Sequence, residues 1–117
     1  MIIRQGDIFR VNLDMPKGSG PGYRHPLLVV QNNIFNQSRI NTVVVCALTT
    51  NLKRATAPGN VLLKKGEGNL SMESVVNISQ IITVDKSDLI DKIGHLSPSR
   101  IRQVTEGIKL LMEPVEF

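Results

Sequence analysis

This chain of 117 residues contains no tryptophan, and aromatic residues make up only 3% of it. Phe9, Tyr23, Phe35 and Phe117 are the whole supply. They are too few for the wide stacking platform on which some proteins hold single-stranded nucleic acid. Cys46 is the only cysteine, which excludes an intrachain disulfide and gives no sign of secretion. It stands inside the apolar run Val43-Val44-Val45-Cys46-Ala47-Leu48, where a free thiol is expected to be a small buried hydrophobe rather than a nucleophile. His25 and His95 are the only histidines. Neither has a second ligand at ordinary metal spacing, so no metal and no cofactor is expected. No segment approaches the roughly 20 apolar residues of a membrane span, and Met1–Gly6 is too short and polar for a signal peptide. The cytoplasm is the expected compartment. Phosphate-loop and dinucleotide fingerprints are also missing. Gly18-Ser19-Gly20-Pro21-Gly22 lacks a Gly-Lys-Ser/Thr ending and leads toward a strand pattern, not a helix.

What is present suits one domain spanning 1–117. A chain of this length buries roughly two-thirds of its unfolded surface, enough for a core without staples. The net charge of +4 is unevenly placed. Residues 1–65 carry nine Lys/Arg against two acids, a net of +7, and residues 66–117 carry five against eight, a net of −3. A polyanion is the partner class that the basic portion suits.

Strand patterns dominate the chain. Ile8–Leu13 alternates as a half-buried strand does, and Leu27–Val30 reads as a second strand. Asn32–Ser38 reads as a loop or short helical turn. Thr42–Thr49, β-branched and apolar, reads as a central strand. Asn51–Pro58 is a basic exposed loop, Val61–Leu63 a short strand, and Gly66–Gly68 a turn. Ser74–Val84 reads as a long strand with Val75, Ile78, Gln80, Ile82 and Val84 on one side. Ser97-Pro98 is an N-cap followed by proline at the first helical position. Ile101, Val104, Ile108 and Leu111 then follow at helical spacing, a face expected to meet the core or, failing that, a second copy. Glu113-Pro114 stops that helix. The pattern is that of a compact α+β domain on a small twisted sheet or barrel.

Three clusters have the residue types of a site. The first is Gly18–Pro26, a glycine-rich loop that delivers Arg24 and His25 to the mouth of a strand. Pro26 biases His25 toward extended backbone. A permanently charged guanidinium beside a group that titrates near neutrality suits chemistry at a phosphate. The competing reading is a surface loop with two incidental polar residues. The second is Thr49-Thr50-Asn51 at a strand end, where hydroxyls and an amide can meet phosphate oxygens or base edges. The third is Asn77, Ser79 and Gln80, polar groups set into an apolar strand. His95 lies next to the helix cap, where a structural role is expected.

Taken in order, these residues resemble the MazF/PemK-type toxins, the ribonuclease halves of bacterial toxin–antitoxin pairs. The resemblance covers the whole chain. It rests on Gly6-Asp7, Gly18-Ser19, Arg24 and Pro26, Thr49-Thr50, Gln80–Asp85 and the closing helix. It implies a dimer of SH3-like twisted β-barrels, each with a C-terminal amphipathic helix and short accessory helices. It implies metal-independent cleavage of single-stranded RNA, leaving a 2′,3′-cyclic phosphate and a 5′-hydroxyl. It also implies a cognate antitoxin whose extended acidic tail occupies the RNA groove. The loop arginine and a strand-end Thr or Ser are the family's main catalytic residues, which here are Arg24 and Thr49. Lys53 and Arg54 would line the groove, with Thr50 and Asn51 near the scissile step. Gly18, Ser19, Ser79 and Gln80 complete the expected RNA contacts.

The chain departs from the family pattern at two points. The family's arginine usually stands directly before the proline, a place held here by His25, and Gly20 stands where an acidic residue commonly follows the Gly-Ser. Three readings follow: Arg24 still reaches the phosphate, His25 replaces it, or the site is disabled and leaves an RNA-binding module. The adjacency of the two side chains favours joint action, with Arg24 on charge and His25 on proton transfer. A domain that binds only an acidic peptide is the remaining alternative.

Overall fold

The computed structural model describes residues 1–12 and 24–116, with the backbone alone at 24 and 25. Gly18, Ser19 and the rest of the glycine-rich loop expected to contact RNA therefore lie outside the described residues. Six strands form one antiparallel sheet: β1 Asp7–Asn12, β2 Arg24–Val29, β3 Thr42–Thr49, β4 Val61–Leu63, β5 Ser74–Asp85 and β6 Leu89–His95. Their order across the sheet is β4-β5-β3-β2-β1-β6. Helix α1 covers Asn33–Asn36 and α2 covers Pro98–Met112. Single 3₁₀ turns occupy Leu52–Thr56, Glu67–Asn69 and Lys86–Asp88.

The expected barrel is a twisted sheet whose end strands are not paired. The 3₁₀ turn after β4 spans the gap and packs on β6 instead. Asn69 Nδ2 donates to the carbonyl of Ile93 at 3.0 Å, and a Cβ on Gly94 would overlap the Gly68 carbonyl. Gly94 is therefore required by the close approach of two backbones.

The strands β1, β2 and β3 contribute side chains to a core on each face of the sheet, which explains why they read as near-continuous apolar runs. Ile8, Leu28, Cys46, Leu48, Val76 and Ile78 lie on one face, where Val104 of α2 joins them. Phe9, Val11, Leu27, Val29, Val45 and Val84 lie on the other, with Leu89. Successive residues such as Ile8 and Phe9 point to opposite cores, as the strand period of two requires. The half-buried strand expected at Ile8–Leu13 is thus buried on both sides, with only Arg10 and Asn12 reaching solvent among its described residues.

The one-sided alternation expected along Ser74–Val84 does not hold. Ala47 pairs with Asn77 but Cys46 pairs with Ile81, so Ile78, Ser79 and Gln80 are interposed in β5. An insertion of three residues, an odd number, reverses the face on which every later side chain falls. Ile78 accordingly enters one core and Val84 the other, while Gln80 and Ile82 are exposed. Strand β6 was not anticipated, because Leu89–His95 carries only a weak apolar pattern. It pairs with β1 through two register shifts.

Helix α2 begins as its sequence predicts. Ser97 Oγ accepts from the backbone N–H of Arg100 at 3.3 Å, and Pro98 opens the first turn. Val104 is buried, whereas Ile101 and Ile108 are partly buried. Leu111 is 47% exposed, so the face expected to meet the core runs off its edge in the last turn.

Candidate nucleic-acid interface

The polar residues that follow β3 organise one another. Thr49 is half-buried, and its Oγ1 accepts from the Asn51 N–H at 3.1 Å. Asn51 Oδ1 accepts in turn from the Lys53 N–H at 3.2 Å and caps the 3₁₀ turn. Short polar side chains favour such local bonds to the backbone, which is why they start the turn here. Among the described residues, the Thr49 hydroxyl proton has no acceptor, and a hydroxyl that accepts one bond can still donate another. Thr50, Asn51, Lys53 and Arg54 are all exposed. Among the described residues, neither Lys53 nor Arg54 makes an ion pair.

The third cluster lies at the insertion in β5. Ser79 Oγ donates to Asn77 Oδ1 at 3.3 Å, Asn77 is buried, and Gln80 faces solvent. Asn60 links this cluster to the basic turn. Its Nδ2 donates to the Arg54 carbonyl at 2.9 Å and reaches Asn77 Oδ1 at 3.4 Å. Its Oδ1 accepts from the Ile78 N–H at 2.9 Å. Sequence reasoning missed Asn60, because an asparagine after Pro58-Gly59 reads as ordinary turn chemistry.

Arg24 and His25 begin β2, where their backbones pair with Asn12 and Val11. β2 and β3 pair in the register Leu27↔Ala47, Leu28↔Cys46, Val29↔Val45. The start of β2 and the end of β3 therefore lie at the same end of the sheet. That end holds Arg24, His25, Thr49, Thr50, Asn51, Lys53 and Arg54.

Other reactive groups are committed to structure. Burial pushes the Cys46 thiol up from 9.0 to about 12, so it is protonated at neutral pH and is no nucleophile. His95 Nδ1 stands 2.7 Å from Asp7 Oδ1. Arg100 grips Glu67 with two bonds of 2.9 Å and holds its carboxyl below the usual carboxylate range. Among the described residues, no group of three or more His, Cys, Asp or Glu is placed to hold a metal ion. Among the described residues, no helix is long and apolar enough to cross a membrane.

Beside the β5 insertion runs an apolar groove of about 620 Å³, lined by Val30, Phe35, Val44, Ser79, Ile81, Ile108, Leu111 and Met112, among others. Phe35, Leu111 and Met112 are 52%, 47% and 72% exposed. Large apolar side chains gathered and left in water mark an interaction surface.

Residues 4–112 match the model of the PemK-like, MazF-like toxins of type II toxin–antitoxin systems. The chain is 36% identical over 113 residues to endoribonuclease MazF2 of Mycobacterium bovis, covering 97% of this chain and 99% of that one. It is 32% identical over 117 residues to endoribonuclease EndoA of Bacillus subtilis, with both chains fully covered. Among solved structures, a mycobacterial endoribonuclease in complex with its cognate antitoxin superposes with a TM-score of 0.76 at 27% identity, covering 97% of this chain and 99% of that one. The MazE–MazF complex of Deinococcus radiodurans shares the fold, with a TM-score of 0.79 at 19% identity over 98% of this chain and 99% of that one.

Proposed function

Because this chain belongs to the PemK-like, MazF-like toxins of type II toxin–antitoxin systems, we propose that it is a toxin endoribonuclease cutting single-stranded RNA at the end of the sheet where β2 begins and β3 ends. Relatives of nearly the same length carry the name endoribonuclease. The 2′-oxygen of one ribose attacks the adjacent phosphorus and loses its proton. The bond to the 5′-oxygen breaks, and that oxygen takes up a proton. The products are a 2′,3′-cyclic phosphate and a 5′-hydroxyl, with no metal required.

Arg24 neutralises the phosphate and the charge that develops on it, for which a two-pronged donor is suited. Thr49 donates its hydroxyl proton to the same phosphate. His25 transfers the proton, as an imidazole with an ordinary value near 6.5 can do at neutral pH. Thr50, Asn51, Lys53, Arg54, Ser79 and Gln80 hold the flanking nucleotides, and Gly18 and Ser19 complete the RNA contacts.

The observation that carries this reading is the register of β2 on β3. Leu27 lies opposite Ala47. Two further steps in that register would bring position 25 opposite Thr49, and a third would bring position 24 opposite Thr50. Positions 25 and 24 are thus the backbone neighbours of Thr49 and Thr50, and as successive strand positions they belong to opposite faces. This register supports a site at the start of β2, with the arginine position next in sequence to that of the histidine.

The partner that silences the toxin is an antitoxin with an extended acidic tail. It suits the net charge of +7 on residues 1–65 and competes with RNA for the same cations. The toxin acts as a homodimer in the cytoplasm, and the groove of Phe35, Leu111 and Met112 meets a second copy.

The test is direct. A long RNA is incubated with the purified protein in excess chelator, and the new ends are mapped. Cleavage with cyclic-phosphate and 5′-hydroxyl ends is expected. RNA left intact across several substrates would leave a binding module instead.

A further inference from the structure

Ile78, Ser79 and Gln80 stand outside the β3–β5 ladder, so the Ile78 N–H needs a partner from elsewhere. Buried backbone donors are almost always satisfied. Asn60 supplies that partner through Oδ1 at 2.9 Å. The other arm of the same amide donates to the Arg54 carbonyl at 2.9 Å. One side chain therefore spans two segments far apart in sequence, the basic 3₁₀ turn and the strand insertion.

Both ends of that bridge are otherwise constrained. Asn60 N–H donates to the Ala57 carbonyl at 3.2 Å, closing the turn that follows the 3₁₀ segment. Asn77 accepts from Ser79 and from Asn60, and its carbonyl accepts from the Cys46 thiol at 3.0 Å. Gly59 presses on Gly107 of α2, which in turn sits against Ile78. Asn60 is thus the polar joint between two pieces that carry different exposed groups. Lys53 and Arg54 are on one piece, and Ser79 and Gln80 are on the other.

We propose that Asn60 is a positioning residue for RNA recognition, setting the separation of Lys53 and Arg54 from Ser79 and Gln80 and thereby which nucleotides flanking the cut are accepted. The proposal rests on the RNA-contacting role given to those four residues above. Asn60 itself need not touch RNA. Its two arms are separable, because aspartate keeps the acceptor for Ile78 but cannot donate to the Arg54 carbonyl.

The experiment compares Asn60→Ala, Asn60→Asp and Arg54→Ala with the unaltered protein. Each is checked for folding by circular dichroism, then assayed for KM, kcat and the full set of cut sites on one long RNA. Loss of a single hydrogen bond corresponds to roughly three- to tenfold. Asn60→Ala and Asn60→Asp are expected to raise KM by about that factor, to leave kcat within about twofold, and to cut at additional sequences. A folded Asn60 variant with unchanged KM and unchanged cut sites overturns the proposal. So does a fall in kcat alone, or failure of both Asn60 variants to fold, which would make the residue purely structural. If Arg54→Ala leaves KM unchanged, the RNA-contacting role beneath the proposal falls first, whatever the Asn60 variants do.

Discussion

His95 Nδ1 stands 2.7 Å from the carboxylate of Asp7, 88 positions earlier in the chain. Asp7 is 1% exposed. Lys92 Nζ lies 3.1 Å from its other oxygen, and the Arg4 N–H donates to that same oxygen at 2.8 Å. The carboxylate therefore ties the first residues of the chain to β6 beneath the entry of α2. Replacing Asp7 by Ala should destabilise the fold by about 2 kcal/mol. The value lies below the usual cost of breaking a buried pair because Lys92 and His95 keep 40% and 47% exposure and can still reach water. Urea unfolding checks it, and the RNA-cleavage rate per folded molecule should not change.

Gly107→Ala sets two effects against each other. Alanine inside a helix is favoured over glycine by about 1 kcal/mol. The added methyl, however, meets the Gly59 carbonyl and lies 3.1 Å from Ile78 Cγ1. Gly59 holds φ +78° and cannot easily move aside. Overpacking of this kind costs typically about 1–3 kcal/mol, so the clash wins and the thermal midpoint should fall. An unchanged or higher midpoint would mean that the Gly59 turn yields freely.

The raised Cys46 thiol links stability to alkaline pH. Between 9.0 and about 12 the unfolded chain loses this proton while the folded chain keeps it. The stability that Cys46 contributes is complete below pH 9 and falls by about 1.4 kcal/mol per unit above it. Unfolding free energies of the unaltered protein and Cys46→Ala should run parallel up to pH 9. Above that, the unaltered protein should lose stability faster. Parallel curves to pH 11 would contradict the desolvated thiol.

Arg24 and His25 are expected to fail differently. Arg24→Ala should lower kcat on the order of 10²–10³-fold, the usual cost of a lost donor to developing charge, at every pH. His25→Ala should lower it on the order of 10²-fold or more and also remove the pH dependence that a proton-transferring imidazole gives the rate profile. Single-turnover cleavage from pH 5 to 9 separates the two. A wild-type profile in His25→Ala would return the whole reaction to Arg24 and Thr49.

Leu111→Glu places a charge in the apolar groove at a residue already 47% exposed. The monomer fold should tolerate it with less than about 0.5 kcal/mol of change. Light scattering should then find a monomer where the unaltered protein gives a dimer. A dimer that persists would move the contact to another face.

Elements whose signals are local are legible in the chain alone. β3 runs over Thr42–Thr49 as its β-branched run predicts, because apolar side chains of that shape suit a strand buried on both faces. Ser97-Pro98 starts α2 through cap chemistry that needs only adjacent residues. The family, too, was legible, since Gly6-Asp7, Thr49-Thr50 and Gln80–Asp85 keep their order along the chain. Relations between distant segments depend on the folded sheet. The insertion at Ile78–Gln80 depends on which residues of β3 and β5 pair, and an odd shift reverses a face without altering the local pattern. β6 takes its place from its partner β1 and from the Asp7–His95 contact, not from its own weak periodicity. Asn60 looked like a turn residue because its two partners, Arg54 and Ile78, come together only when the sheet has folded.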